Sequence, residues 1–360
     1  MTSTDAFIVA SAQGDYRVDS FDRLDALLAE IVRIDGAIVV ADERVAELYR
    51  DAFAALGDIP VYRLAATERE KTLAGVERVM LSMQATGAGK RSVVVGIGGG
   101  IVQDVATLAA HLWFRGIEFV FVPTTLLAMA DSCIGAKSAV NLGAFKNQIG
   151  TFHSPSRVLM CHRFAATLSD DDVRSGYGEM VKLAIIDSAA RFAELERDVE
   201  AGGFRGPRLD RHIRASLETK RRIIEVDEYE RDLRRVLNYG HTFGHALESV
   251  TDNAVPHGLA VAWGVDVANF IAMRNGYFAE AGYAQVHRFL AAAFALRPAA
   301  AYGAAGLLEA IRRDKKAASG SVKLILPYGC GDVRVVSTAI DAKLEAHIDA
   351  YLRTDDIFAR

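Results

Sequence analysis

Residues 92–104 read Ser-Val-Val-Val-Gly-Ile-Gly-Gly-Gly-Ile-Val-Gln-Asp. A β-branched run breaks into Gly98, Gly99 and Gly100, and a helical pattern follows over 102–112. A buried strand, a glycine turn and a helix start in that order mark an α/β unit. Glycines there let the backbone approach a ligand closely, and the helix N-terminus favours phosphate. The motif is not a full GxGxxG, because Ile101 stands where the third glycine belongs. A tight strand-to-helix turn with no ligand reads from the same letters.

The pattern extends on both sides. Residues 37–41 form a short apolar run ending at Asp42, and 59–62 read as another short strand. Residues 71–84 carry helical periodicity through Leu73, Val76, Val79, Met80 and Met83. Residues 119–123 are the next strand. Continuous apolar strands alternating with helices predict a Rossmann-like parallel sheet covered on both faces. From residue 169 to about 311 the pattern becomes mainly α-helical. Two short strands follow at 322–327 and 333–336, around a glycine-rich turn. The alanine-rich stretch 291–305 reads as small-residue helix packing plus a loop. The expected domains are 1–163 and 164–360, consistent with about 150 residues per domain.

Composition sets outer bounds. Of 360 residues, 51% are hydrophobic and 24% charged, the balance of a globular chain rather than a disordered one. A net charge of -4 leaves no global footprint for nucleic acid. Cys133, Cys161 and Cys330 have no knuckle spacing, which suggests no disulfide framework and a reducing cytoplasm. The start carries no leader pattern, and the apolar stretch 119–129 is too short to span a bilayer. A cytoplasmic protein without membrane or nucleic-acid partners is expected.

Individual residues then suggest chemistry. Asp42 ends a strand, where a carboxylate binds a ribose hydroxyl or caps the next helix. Thr124 and Thr125 follow another strand end and fit a cofactor contact or a cap equally well. His241 and His245 are four apart, so they share one helical face and suit a divalent metal. His257 and Glu179 are further candidates, with Lys182 one turn beyond Glu179. Packing or capping is the plain reading of His245 and His257, but three such groups around glycines favour a metal site, whose ligand set spacing alone leaves open. Cations gather beside polar groups at Arg115, Lys137, Asn141, Lys146, Asn147, Lys220, Arg234, Lys315 and Lys316. Lys137 and Lys146 are expected in a Gly/Asn-rich loop after a buried strand, a place suited to an anionic polyhydroxylated substrate.

Several blocks occur together in order. They are Gly-Gly-Gly-Ile-Val-Gln-Asp (98–104), Phe-Arg-Gly-Ile (114–117), Val-Pro-Thr-Thr-Leu-Leu-Ala (122–128), Asp131 through Lys137, Lys146-Asn147, Gly-Glu-Met-Val-Lys (178–182) and Asn-Tyr-Gly-His-Thr-Phe-Gly-His (238–245). The ordered set resembles the 3-dehydroquinate synthase family of sugar-phosphate cyclases. The resemblance implies an NAD-binding first domain, a metal- and substrate-binding second domain, and a homodimer. It implies metal ligands Glu179, His241 and His257, with Zn²⁺ or Co²⁺ as the cation. It moves His245 from ligand to catalytic residue, beside Lys137, Glu230, Arg234 and Asn238. NAD would meet Asp42, Glu68, Lys71, Gly98, Gly99, Gly100, Asp104, Thr124 and Thr125. A phosphosugar would meet Asp131, Lys146, Asn147, Lys182, Lys220 and one of Lys315 or Lys316, with Arg115 reaching the phosphate from the neighbouring subunit.

The implied activity is conversion of 3-deoxy-D-arabino-heptulosonate 7-phosphate to 3-dehydroquinate and phosphate. Departures from the family pattern fall at Gln103, residues 136–141, Phe145 and Leu259, and Phe145 with Phe152-His153 is similar to cyclases of sedoheptulose 7-phosphate. A cyclase of that sugar or of glucose 6-phosphate is one alternative. A metal-dependent polyol or glycerol dehydrogenase is a second, and a non-catalytic homologue a third.

Overall fold

The computed structural model describes residues 5–143, 145–294, 303–314 and 320–353. The chain divides into two compact units, Met1–Ser169 and Asp170–Arg360. The boundary expected after residue 163 falls inside a 3-10 turn, His162–Thr167. In that turn Phe164 meets the Tyr49 ring edge-on at 5.0 Å, and the Thr167 and Tyr49 hydroxyls lie 3.0 Å apart. Both contacts hold the turn to the first unit.

The first unit contains β1 (Asp5–Val9), β2 (Tyr16–Ser20), β3 (Ala37–Asp42), β4 (Val61–Leu64), β5 (Val93–Gly98), β6 (Glu118–Pro123), β7 (Lys137–Leu142), β8 (Phe145–Phe152) and β9 (Arg157–Met160). Its helices are α1 (Leu24–Val32), α2 (Glu43–Leu48), α3 (Arg50–Phe53), α4 (Leu73–Ala85) and α5 (Gly100–Leu112). Seven strands form one sheet in the order β1-β2-β9-β6-β5-β3-β4. Every neighbouring pair is parallel except β1 and β2, an antiparallel edge that the sequence reading did not contain. β5 is buried throughout, and β3 and β6 nearly so, as strands covered on both faces must be. The chain runs from β3 outward to β4 and then returns to β5 on the other side of β3. Order reverses there, so a crevice opens beyond the C-terminal ends of β3 and β5, where open α/β sheets bind ligands.

Lys137 and Lys146 lie on a separate hairpin rather than the expected loop. β7 and β8 pair antiparallel, with Lys137 opposite Phe152 and Leu142 opposite Phe145. Ser138 and Val140 alternate inward, and the Ser138 hydroxyl donates to the Asp104 carbonyl at 2.8 Å. The backbone of Ala139 donates to Asp104 Oδ1 at 3.0 Å. The carboxylate on α5 thus organises the segment that composition alone marks as a loop.

The second unit is helical: α6 (Asp170–Asp187), α7 (Ala189–Gly202), α8 (Leu209–Ile224), α9 (His241–Val250), α10 (His257–Arg274), α11 (Glu280–Phe294), α12 (Gly303–Asp314) and α13 (Ala342–Leu352), with the hairpin of β10 (Ser321–Gly329) and β11 (Asp332–Ala339). Part of the alanine-rich stretch, 295–302, lies outside the described residues. α10 is buried from Ala260 to Ala272 and apolar apart from Asp266 and Asn269, which are hydrogen-bonded to His287, Tyr351 and Tyr239, so it serves as the core helix. It packs against α6, α9, α11, α13 and β10. Two of these contacts are backbone to backbone. A Cβ on Gly178 would sit 1.9 Å from the Gly258 carbonyl oxygen, and one on Gly258 would sit 1.7 Å from that of Ser175. A Cβ on Gly264 would sit 2.0 Å from the Gly240 carbonyl oxygen. Only glycine permits α6 and α9 to approach α10 this closely.

Candidate active site

Those glycines stand beside the chemistry-bearing residues. Gly178 precedes Glu179, Gly240 precedes His241, Gly244 precedes His245, and Gly258 follows His257. Closing the three helices on one another therefore gathers all four side chains. The imidazole rings lie 5.4 Å apart for His241 and His245, 5.4 Å for His241 and His257, and 5.8 Å for His245 and His257. One nitrogen from each falls within 4.8 Å of the others. Glu179 Oε1 lies 3.5 Å from His241 Nε2 and 3.3 Å from His257 Nε2. Lys182, one turn along α6, places Nζ 2.5 Å from Glu179 Oε2, and both side chains are 2% exposed.

The groups of this cluster are shifted in different directions. Burial alone would raise Glu179, but the Lys182 ammonium and the two imidazoles hold it well below the ordinary carboxylate range. Burial drives His241 down to about 3, against the pull of Glu179. His257 is opposite: burial would depress it, yet the hydrogen bonds and charges of Glu179 and Glu248 push it up to about 9. An ionised carboxylate with three imidazoles at hand is the donor chemistry of Zn²⁺ or Co²⁺, and the residues fit such an ion.

A second group sits on the segment between α8 and α9. Asp227 accepts backbone N–H bonds from Arg231 at 2.8 Å, Asp232 at 2.8 Å and Arg234 at 3.0 Å. The closed loop puts Glu230 at φ 56°, a left-handed conformation costly for a side-chain residue. Asn238 Nδ2 donates to Glu230 Oε1 at 2.5 Å. Arg234 is 3% exposed and donates to the Glu228 carbonyl. The 3-10 turn Leu233–Asn238 that carries it packs on α6 and α8, and α8 supplies the buried Lys220. Lys182, Lys220 and Arg234 are thus three buried cations in one unit, an arrangement suited to an anionic ligand.

The first unit holds the other predicted residues. Asp42 closes β3, and its Oδ1 caps α2 through Arg44 at 2.8 Å and Val45 at 3.4 Å. Both capping bonds use one oxygen. Burial raises this carboxyl, against those two bonds. Gly98 and Gly99 are filled by neighbours, since a Cβ would meet Val102 at 2.4 Å or Thr125 at 2.8 Å. Gly100 faces open space within 4 Å. Thr124 Oγ1 is buried and has no hydrogen-bond partner among the described residues, although its N–H donates to the Gly98 carbonyl at 2.9 Å. An open glycine, a helix start and an orphaned hydroxyl around a crevice at the strand ends fit a dinucleotide.

Further out, Lys71 pairs with Asp104 at 2.7 Å, and Asn141 Nδ2 donates to Glu68 Oε1 at 2.7 Å. Lys71 and Glu68 therefore also fasten the β7–β8 hairpin, where Asn147 donates its N–H to Asn141 Oδ1 at 3.0 Å. Asp131 lies in a single π turn, Ala128–Ser132, a distortion common at functional sites. Gln103 and Ser132 exchange hydrogen bonds at 2.7 Å each, joining that turn to α5. Arg115 stands apart on a turn with φ 49°, 71° and 118° at Phe114, Arg115 and Gly116. Lys315 and Lys316 lie outside the described residues.

Sequence reading missed two residues of the site. Asp227 gave no signal, because its bonds are all to backbone. Glu248 accepts from His257 Nδ1 at 3.2 Å. Its signal was present: it lies seven residues after His241 and three after His245, on the same helical face.

Fold and site define a class: a doubly wound unit with a dinucleotide-type crevice, followed by a helical unit with a divalent-metal cage. Residues 61–175 match the model of the 3-dehydroquinate synthase N-terminal family, and 176–317 that of the 3-dehydroquinate synthase C-terminal family. A 3-dehydroquinate synthase of Solibacter usitatus (strain Ellin6076) is 38% identical over 291 residues, 79% of this chain and 81% of that protein. The structure of 2-deoxy-scyllo-inosose synthase complexed with carbaglucose-6-phosphate, NAD⁺ and Co²⁺ superposes with TM-score 0.87 at 25% identity, covering 96% of this chain and 99% of the other. ValA, a 2-epi-5-epi-valiolone synthase from Streptomyces hygroscopicus subsp. jinggangensis 5008 with NAD⁺ and Zn²⁺ bound, gives 0.84 at 28%, with the same coverage. The chain belongs to the 3-dehydroquinate synthase family.

Proposed function

We propose that this chain is an NAD- and metal-dependent sugar-phosphate cyclase that converts 3-deoxy-D-arabino-heptulosonate 7-phosphate to 3-dehydroquinate and inorganic phosphate. The observation that carries the reading is the glycine-mediated closure of α6, α9 and α10, which gathers Glu179, His241, His245 and His257. Glu179, His241 and His257 hold the cation, and Asp42, Glu68, Lys71, Gly98 to Gly100, Asp104, Thr124 and Thr125 line the place for NAD. When bound, the cation would supply polarisation of a substrate hydroxyl, and NAD a reversible hydride acceptor at that carbon.

The chain's own groups do the rest. Lys182, Lys220 and Arg234 neutralise the phosphate and carboxylate of the substrate, and one of Lys315 or Lys316 assists. The resemblance assigns Lys137, Lys146 and Asn147 on the hairpin and Asp131 on the π turn to the substrate as well. Arg115, on its strained turn, reaches the phosphate of a neighbouring subunit. A ketone at that carbon makes the neighbouring C–H acidic, so a base takes this proton as phosphate leaves by β-elimination, and His245 and Glu230, the latter oriented by Asn238, move protons at the leaving group and the ring. Ring opening and an intramolecular aldol step close the carbocycle. The enzyme's main contribution is to hold one flexible substrate in a reactive conformation.

The exposed apolar residues Leu112, Phe114, Leu142 and Phe145 support a homodimer through the first unit. No described helix is long and apolar enough to cross a membrane, and a cytoplasmic location accords with that and with three free cysteines.

A second reading keeps the chemistry and changes the sugar. It is favoured by the two structural neighbours at TM-scores 0.87 and 0.84, neither of which bears the dehydroquinate synthase name. The deciding experiment offers heptulosonate 7-phosphate, sedoheptulose 7-phosphate and glucose 6-phosphate separately, with NAD and Zn²⁺ or Co²⁺, and weighs the product. Dehydroquinate from the heptulosonate alone supports the first reading. Turnover of another sugar alone replaces it with the second.

A further inference from the structure

We propose that Glu248 is a positioning residue of the metal site: its carboxylate holds Nδ1–H of His257, fixes that ring's tautomer, and leaves Nε2 as the ligating nitrogen. The inference rests on the reading of His257 as a ligand. Glu248 is 6% exposed on α9, and its Oε1 lies 3.2 Å from His257 Nδ1. The opposite edge of the ring, Nε2, lies 3.3 Å from Glu179 Oε1. The ring is therefore strung between a carboxylate inside the cage and one behind it.

Packing alone does not fix this ring. The His257 side chain is 37% exposed, unlike that of Glu179 at 2%. His257 also opens α10 directly after Pro256, so it has no preceding helical turn to lean on. Its orientation needs a second anchor, and Glu248 supplies it from a helix whose distance to α10 is set by backbone contact at Gly264 and Gly240. A hydrogen bond from a rigid helix restricts both the rotation of the ring and the site of its proton. A carboxylate buried to this degree is costly unless bonded, which matches a paired role better than a surface one.

The test uses the full chain, stripped of metal and titrated with Zn²⁺ or Co²⁺ against a competing chelator. Glu248→Ala is expected to weaken binding about 10- to 100-fold, the usual effect of losing such a partner. Glu248→Gln keeps an acceptor at the same place and is expected to recover most of that loss. Metal-free unfolding of both variants is measured alongside, so that a loss of fold is separated from a loss at the ion. If Glu248→Ala does not fold, Glu248→Asp, one methylene short, carries the test and is expected to bind more weakly than the parent. Unchanged affinity in the truncated variant, or equal loss in Glu248→Ala and Glu248→Gln, would overturn the proposal. His257→Ala separates it from the reading beneath: metal binding unaltered there removes His257 as a ligand, whereas loss there with none at Glu248 removes the positioning role alone.

Discussion

At the scale of residues, two kinds of glycine behave differently. Gly258 and Gly178 are enclosed by backbone, and an added methyl has nowhere to go. Gly258→Ala should cost more than about 3 kcal/mol and lose bound metal, because α6 and α10 must part. Thermal unfolding and elemental analysis of the purified variant check this. Gly100 faces open space, so Gly100→Ala should melt within about 1 kcal/mol of the parent, yet titrate NAD more weakly. Equal NAD binding would make that turn a plain strand-to-helix connection. Asp42 separates similarly. Asp42→Asn preserves the cap on α2, so stability should change little while NAD affinity falls. An unaltered NAD titration would return Asp42 to capping alone. That His241, His245 and Glu179 come together was legible in the sequence, where spacing or motif marked them. Glu248 shares the helical face of His241 and His245, but its partner His257 lies on the next helix, so periodicity marks its face and not its role.

At the scale of elements, strands β3, β5 and β6 and helices α4 and α5 follow from apolar runs and periodicity that local sequence displays. The β7–β8 hairpin did not, because its own pairing is joined by anchors from elsewhere in the chain, Asp104 on α5 and Glu68 and Lys71 before α4. β1 and β2 went unread for a related reason: an edge hairpin with alternating exposure lacks the continuous apolar run of a central strand. The loop between α8 and α9 is held the same way, by one carboxylate accepting three backbone N–H groups. Asp227→Ala should lower kcat/KM by about tenfold or more, equivalent to ~1.4 kcal/mol of transition-state stabilisation, by releasing Glu230 and Arg234. Steady-state kinetics check this, and an unchanged value would mean the loop keeps its shape unaided. Although burial opposes it, the three backbone bonds depress the Asp227 carboxyl. Its contribution is therefore present above the unfolded value near ~3.9 and is lost as pH falls through the lower folded value, so the loop stays anchored at neutral pH.

At the scale of the whole molecule, the chain assigns two tasks to two units. A doubly wound sheet offers a crevice at its order reversal, and a helical unit closes three helices on a cage of histidines and a carboxylate. The alternation of strands and helices followed by helices alone made this plan legible, since each pattern permits few architectures. The boundary was less legible, because the turn His162–Thr167 is held by Tyr49, far away in sequence. The choice of sugar belongs to this scale, for it depends on how a complete substrate is enclosed. The most direct measurement follows inorganic phosphate and NADH together, with the metal-loaded full chain turning over 3-deoxy-D-arabino-heptulosonate 7-phosphate. One phosphate per substrate consumed, with no net NADH, is the expected result, because a cyclase returns its hydride. NADH accumulating without phosphate release would contradict it and make the protein a net dehydrogenase.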